Sequence, residues 1–161
     1  MGLLSFVREA GEKLFGRKEV EVAAAESAQD KLADLNQKAA AAIVAYIDKQ
    51  GLDTSALKVS FDGASSTVTV AGTVADQATR EKVLLCCGNV EGVDKVDDQL
   101  TVINPEPPAT FHTVVRGDTL SAIAKACYGN ANAYMKIFEA NKPMLSDPNK
   151  IYPGQVLRIP A

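Results

Sequence analysis

The sequence predicts an α+β protein of two small domains, an α-β-β-α-β unit followed by a β-α-α-β unit, with a short helix before them. Short segments of alternating apolar residues are separated by segments in which apolar residues recur at spacings of three and four. Three prolines within residues 103–110 remove backbone donors and favour an extended spacer. The predicted segments are an N-terminal helix and connector over 1–25, a first domain over 26–103, a linker over 104–110 and a second domain over 111–161.

The first domain opens with an amphipathic helix that Gln50 and Gly51 end, because glycine readily terminates helices. Asp76 or Thr79 can cap its second helix. Its predicted elements are a helix over 26–49, strands over 57–61 and 68–74 with an interruption at Ala71 and Gly72, a helix that ends at Gly88, and a strand over 91–102.

The second domain begins with an alternating strand that turns at Arg116-Gly117-Asp118. Asp118 or Thr119 caps the next helix, which stops at Gly129. Its predicted elements are a strand over 111–115, helices up to 128 and over 131–140, and a strand over 156–160.

Composition excludes several function classes. The formal charge is -3 and the isoelectric point is near 5.2, and the cations are scattered, whereas nucleic-acid domains usually carry a basic stripe. Arg8 and Glu9 interrupt the first apolar run, so we expect no export signal, and no apolar run approaches the about 20 residues of a membrane span. The sequence therefore predicts a cytoplasmic protein that binds no nucleic acid.

Catalytic and side-chain metal sites are not indicated. His112 has no serine, cysteine or carboxylate at a catalytic spacing, and no phosphate-binding glycine loop is present. Asp94, Asp97 and Asp98 lack the pattern of a calcium loop, and a solvated strand edge explains them. We predict a non-enzyme. The cysteines match no zinc spacing and are expected to be small buried thiols, namely Cys86, Cys87 and Cys127.

The second domain resembles the LysM family. The resemblance covers residues 111–160 and rests on Gly117-Asp-Thr-Leu, Asn141-Lys-Pro and Tyr152-Pro-Gly-Gln. It implies a groove for N-acetylglucosamine polymers, although turn and cap chemistry would explain the same residues without a ligand. The implied groove residues are Gly117, Asp118, Thr119, Asn141, Pro143, Ile151 and Pro153.

The first domain resembles the BON family over residues 26–103, through a Val-x-Val-x-Gly pattern before its second helix and the sequence from Gly88 to Leu100 after it. BON followed by LysM, after the start Met1-Gly-Leu-Leu-Ser-Phe-Val, closely resembles the bacterial cytoplasmic potassium-binding proteins. The resemblance implies a K⁺ site of backbone carbonyls. The implied ligands are Val7, Ala10 and Glu12 from the N-terminal segment, with Gly88, Val90 and Val93 from the turn after the second BON helix.

Carbonyl coordination suits K⁺, because neutral dipoles can replace its water shell whereas carboxylate clusters favour divalent ions. Helix ends expose carbonyls without intrahelical donors. We expect the N-terminal helix to end at Gly11, and Gly11, Gly88 and Gly92 to permit positive φ values that turn carbonyls inward. The alternative is that the glycines are ordinary helix caps and the valines are core residues.

The sequence thus favours a monomeric cytoplasmic K⁺ sensor or buffer, with an unknown protein partner and with the LysM domain steadying the bound state. A LysM-mediated peptidoglycan or N-acetylglucosamine-binding protein is the first alternative. A BON-mediated protein or phospholipid adaptor is the second.

Overall fold

The computed structural model describes residues 2–6 and 29–161. Within these residues, an N-terminal unit contains a four-stranded sheet and two helices, and a C-terminal unit contains a two-stranded sheet and two helices. The N-terminal unit consists of β1 (Gly2–Ser5), α1 (Gln29–Lys49), β2 (Leu57–Asp62), β3 (Thr67–Asp76), α2 (Gln77–Gly88) and β4 (Lys95–Asn104). The C-terminal unit consists of β5 (Thr110–Thr113), α3 (Leu120–Tyr128), a 3-10 turn (Ala131–Ala133), α4 (Tyr134–Ala140) and β6 (Val156–Ile159).

The sheet of the N-terminal unit has the strand order β1-β4-β3-β2. β3 and β4 are parallel because α2 connects them as a crossover, and the other two pairings are antiparallel. Valines at alternate positions of these strands face α1 and α2 and form the core, together with Ile43 and Ile47 of α1. The predicted mixed α+β class is confirmed.

The start of the chain differs from the prediction. Residues 2–5 form strand β1, which pairs with β4 from Gly2 opposite Asp98 to Ser5 opposite Lys95. The predicted N-terminal helix is therefore wrong for these residues, because alternation places Leu4 and Phe6 against the core while Ser5 is exposed. Residues 7–28, including the rest of the predicted helix, lie outside the described residues.

Strand β3 runs without the predicted interruption at Ala71 and Gly72. Gly72 has a φ of 128°, and a Cβ atom there would lie 2.0 Å from the carbonyl oxygen of Ala56. The glycine thus marks a close backbone approach within a continuous strand. The predicted strand over 91–102 instead begins at Lys95, because Gly92 turns the chain with a φ of 98°.

Strand β6 connects the two units through its two faces. Leu157 and Ile159 belong to the core of the C-terminal unit, whereas Val156 belongs to the core of the N-terminal unit. One short strand is therefore buried from both sides, and it places the C-terminal unit against the end of α2.

Candidate ion site and domain interface

The C-terminal end of α2 holds the three predicted potassium ligands that lie in the described part of the chain. Gly88 is the last residue of α2, and Val90 and Val93 follow in the turn before β4. All three residues are buried, and both valines have a relative exposure of 0%. The helix dipole directs its negative end toward this turn, which favours a cation there.

The carbonyl groups of the turn differ in their hydrogen bonding. The Val90 carbonyl accepts a bond from the N–H of Val93 at 3.2 Å. Within residues 2–6 and 29–161, no N–H group donates to the carbonyl oxygen of Gly88 or of Val93. Buried backbone carbonyls are normally paired, so two that have no donor among the described residues leave acceptor capacity for another group.

Position 88 requires a glycine because the Phe6 side chain leaves no room for a side chain there, and not because of its backbone angle. A Cβ atom at Gly88 would lie 2.0 Å from Cε1 and Cζ of Phe6. The expectation of a positive φ at Gly88 is wrong, because Gly88 lies within α2 and is absent from the residues with positive φ, whereas Gly92 has the expected positive value.

The segment that contains Phe6 reaches the same turn. The N–H of Phe6 donates to the Asp94 carbonyl at 2.7 Å, and the next residue is the predicted ligand Val7. Val7, Ala10 and Glu12, together with Gly11, lie outside the described residues. Their part in the site stays a prediction.

The sequence predicts that Asp94, Asp97 and Asp98 lie at a solvated strand edge, and this prediction is wrong for Asp98. β4 is an internal strand, and Asp98 is 5% exposed. The Asp98 carboxylate forms an ion pair with Arg80 at 2.6 Å and accepts the Leu100 N–H at 3.0 Å. Asp98 therefore anchors α2 to the sheet. The described part of the chain contains no group of three or more His, Cys, Asp or Glu side chains placed to hold a metal ion.

Asn89 lies between two predicted ligands and bonds to the C-terminal unit. Its side-chain Nδ2 donates to the Val156 carbonyl at 2.9 Å, and its Oδ1 accepts the Val156 N–H at 2.9 Å. Asn89 is buried, so both bonds are shielded from water. The amide acts as a strand neighbour for β6 and fixes the C-terminal unit to the turn.

Glu81 of α2 forms a second connection between the N-terminal and the C-terminal unit. Its carboxylate accepts bonds from the Gln77 side chain at 2.8 Å and from the Ala109 N–H at 2.9 Å, and it pairs with the Arg158 guanidinium. Glu81 is 2% exposed, and a buried charge of this kind needs several partners to offset its desolvation. These contacts tie α2, the proline-rich linker and β6 together.

The predicted glycan groove is only partly assembled. Asp118, Thr119 and Ile151 line a cavity of about 350 Å³. The other residues that line this cavity are Leu120, Ser121, Tyr134, Pro148 and Asn149. Gly117 and Pro153 do not line it.

Asn141 and Pro143 have other positions. Asn141 is buried, its Oδ1 accepts the Arg158 N–H at 2.7 Å, and its Nδ2 donates to the Ile137 carbonyl at 2.7 Å. Pro143 lines a small gap between the units, beside Leu52 of the N-terminal unit. Asn141 thus holds β6 to α4, and its part in a glycan groove stays a prediction.

His112 has a carboxylate partner that its sequence spacing did not reveal. Its Nε2 lies 2.8 Å from Oδ2 of Asp118, which also accepts the Val115 N–H at 3.0 Å. The Val115 N–H and the His112 ring both lower the pKa of Asp118. Thr119, the second predicted cap residue, accepts the Ala122 N–H and caps α3.

The three cysteines occupy two kinds of environment. Cys86 and Cys87 are buried as predicted, and burial raises the pKa of Cys86 to about 12 and that of Cys87 well above its usual value. Cys127 is exposed, so the prediction of burial is wrong for it. It lies near the end of α3, where helical spacing alone does not distinguish a core face from its border.

Comparison with known proteins identifies both units. Residues 32–104 match the model of the BON domain, and residues 112–160 match that of the LysM domain. The chain is 46% identical over 160 residues to the potassium binding protein Kbp of Escherichia coli O6:H1, and the match covers 99% of each chain. The chain belongs to the Kbp family.

Membership of the Kbp family confirms the predicted resemblance and the order of the BON and LysM domains. Shorter similarities also occur. An esterase of Mycobacterium tuberculosis is 49% identical over 53 residues, which cover 33% of this chain and 11% of the esterase. An uncharacterized protein of Deinococcus radiodurans is 49% identical over 51 residues, 32% of this chain and 19% of that protein. Neither similarity spans the BON and LysM domains together.

A membrane-spanning helix must be both long and apolar. None of the helices in residues 29–161 meets both requirements.

Proposed function

We propose that this chain is a cytoplasmic K⁺-binding protein that acts as an ion sensor or buffer. Backbone carbonyls coordinate the ion, and K⁺ is the bound ligand. The proposed ligands are the carbonyl oxygens of Val7, Ala10, Glu12, Gly88, Val90 and Val93.

The observation that supports this proposal most directly is the pair of buried carbonyls at the end of α2. Gly88 and Val93 have no N–H donor within the described residues, and both are shielded from water. K⁺ accepts neutral carbonyl oxygens in place of its hydration shell. Coordination would therefore satisfy these carbonyls without introducing a buried negative charge. The name of the Kbp relative, a potassium binding protein, supports the same ion.

The LysM domain steadies the bound state in this proposal. Asn89 separates the proposed ligands Gly88 and Val90 along the chain, and its side chain holds the backbone of Val156 in the LysM domain. Any movement of the turn on ion binding must move Asn89. Docking of the LysM domain therefore restricts the positions that the carbonyl groups of Gly88 and Val90 can take.

Calorimetric titration with KCl and NaCl, in a buffer free of alkali ions, tests the proposal. We expect a saturable heat with K⁺ and a weaker one or none with Na⁺ at matched ionic strength. We also expect K⁺ to raise the free energy of unfolding by RT ln(1 + [L]/Kd), or about 2.7 kcal/mol at a hundredfold excess over Kd. Equal heats and equal stabilisation with the two ions would contradict a selective site.

Two variants separate backbone from side-chain coordination. Glu12→Gln keeps its carbonyl and should change K⁺ affinity only modestly, whereas Gly88→Val should weaken binding strongly because its side chain collides with Phe6. Deletion of residues 1–15 should abolish binding, and circular dichroism must show that both domains stay folded, because the deletion also removes β1 and Phe6 from the BON domain. Loss of binding in Glu12→Gln together with normal binding in Gly88→Val would indicate a carboxylate site instead.

A second function, binding of an N-acetylglucosamine polymer, has one observation in its favour. Asp118, Thr119 and Ile151 line the cavity of about 350 Å³ in the LysM domain, which is large enough for part of a sugar ring system. Titration with a chitin oligosaccharide tests it. Binding that Thr119→Ala and Ile151→Ala weaken would support this function, and an absence of heat would remove it.

A further inference from the structure

A cleft separate from the ion turn and from the glycan groove lies between the two domains. It encloses about 200 Å³ and is lined by Tyr46 of α1 and by residues of the segment between α4 and β6. Those residues are Met144, Leu145, Ser146, Lys150, Tyr152 and Gln155. Small-molecule sites occur preferentially at such domain boundaries.

Gln155 supplies a buried polar group without a complete set of partners. The residue is 3% exposed, and its side-chain Oε1 accepts the Tyr152 N–H at 3.3 Å. Within residues 2–6 and 29–161, its Nε2 donates no hydrogen bond, and the bond to Oε1 is the one that its side chain makes. A buried donor without an acceptor is costly, so the NH₂ group of Gln155 can accommodate an acceptor oxygen beyond the described residues.

Lys150 adds a positive charge to the same cleft. It is exposed and lines the cleft. None of the ion pairs among the described residues includes its ammonium group. The nearby carboxylate of Asp147 accepts the Asn149 N–H at 2.8 Å in its own turn and does not line the cleft. Gln155 and Lys150 therefore line one cleft, and none of the described residues that line it carries a carboxylate.

We propose that this interdomain cleft binds a small carboxylate. Its carboxylate oxygens would accept from Nε2 of Gln155 and pair with Lys150, and its carbon body would contact Met144 and Tyr46. One ammonium and one amide match a single negative charge, whereas a phosphate dianion would need more cationic partners. The bound molecule would touch both domains, and its binding would stabilise their docked arrangement.

Nuclear magnetic resonance titration of the full chain, kept in constant saturating K⁺, tests the proposal. Acetate, succinate and L-glutamate are the carboxylate probes, and inorganic phosphate is the comparison. We expect at least one carboxylate to bind with a Kd below about 10 mM and to shift the side-chain NH₂ signals of Gln155. Those signals are assigned by their absence in Gln155→Glu.

Three variants locate the site. Lys150→Gln removes the charge from an exposed position, and Gln155→Glu keeps the acceptor for Tyr152 while removing the donor. Each should weaken carboxylate binding at least about tenfold, while Lys58→Gln, an exposed lysine on β2, should leave it unchanged. If Gln155→Glu fails to fold, carboxylate binding by Lys150→Gln still tests the proposal.

Three results would overturn the proposal: no carboxylate binding up to about 10 mM, binding that Lys150→Gln leaves unchanged, or tighter binding of phosphate. None of them tests K⁺ binding itself, since none of the described residues that line the cleft is a proposed K⁺ ligand. K⁺ affinity measured on Lys150→Gln should equal that of the parent chain.

Discussion

At the residue scale, the contact between Gly88 and Phe6 joins the start of the chain to the end of α2. The Phe6 ring occupies the space that a side chain at Gly88 would need, and the Phe6 backbone bonds to Asp94 in the same turn. This contact places Phe6, the residue before the proposed ligand Val7, against the turn that holds Gly88, Val90 and Val93. The identity of either residue depends on the other.

We expect Gly88→Ala to lower the free energy of unfolding by about 1–3 kcal/mol, because the added methyl group overpacks against the Phe6 ring. Urea unfolding measures the change. In a Phe6→Ala background the same substitution should cost much less, since the colliding ring is gone. An equal cost in both backgrounds would contradict this explanation of the glycine.

The cysteines give a second expected outcome at the residue scale. At about pH 8, iodoacetamide should modify Cys127 in the native protein, because this thiol is exposed. Cys86 and Cys87 should react only in denaturant, since burial raises their pKa values and blocks access. Mass spectrometry after digestion identifies the modified residues. Native modification of Cys86 or Cys87 would show that α2 opens readily.

At the element scale, α2 carries both the ion turn and the domain contacts. Asp76 accepts the Thr79 N–H at 2.7 Å and caps the beginning of the helix, while Asn89 follows its last residue. Glu81 and Arg80 project from its middle to the LysM domain and to β4. The position of this one helix thus controls how the carbonyl turn is held.

The cap of α2 predicts a pH-dependent stability. The bonds from Thr79 lower the pKa of Asp76 below its ordinary value of 3.8, so its contribution is present above that value and is lost as the pH falls through the folded pKa. Asp76→Ala should cost about 1 kcal/mol near neutral pH, and the difference from the parent should shrink in acid. Asp76→Asn, which caps without titrating, is the control. A cost for Asp76→Ala that is independent of pH would contradict this role.

At the scale of the whole molecule, the two domains share one strand. Val156 of β6 packs in the core of the BON domain, while Leu157 and Ile159 pack in the core of the LysM domain. Asn89 pairs with the Val156 backbone, and Glu81 pairs with Arg158. Relative domain movement would expose a buried charge and two backbone groups, which favours one docked arrangement.

We expect Asn89→Ala to lower the free energy of unfolding by at least about 2 kcal/mol, because it leaves the N–H and carbonyl of Val156 unpaired in a buried interface. Small-angle scattering should also show a larger radius of gyration as the domains separate. Asn132→Ala, at an exposed position, should change stability by less than about 0.5 kcal/mol. Unchanged stability and size in Asn89→Ala would show that the interface does not depend on this amide.

The sequence by itself determined the class, the order of the two domains and the spans of most helices and strands. These features depend on local periodicity, caps such as Asp76 and Thr119, and motifs that are contiguous in the chain. Three of the six predicted K⁺ ligands, Gly88, Val90 and Val93, share one buried turn, and adjacency in the sequence made that predictable.

Only the tertiary structure decided the contacts between distant segments. The strand at residues 2–5 exists because the edge of β4 accepts it, and Gly88 is a glycine because Phe6 lies beside it. Asn141 bonds to the backbone of Arg158, and Asn89 bonds to Val156, which is 67 positions away in the chain. Local patterns carry no information about such partners, because burial and hydrogen bonding between distant residues are fixed only when the whole chain has folded.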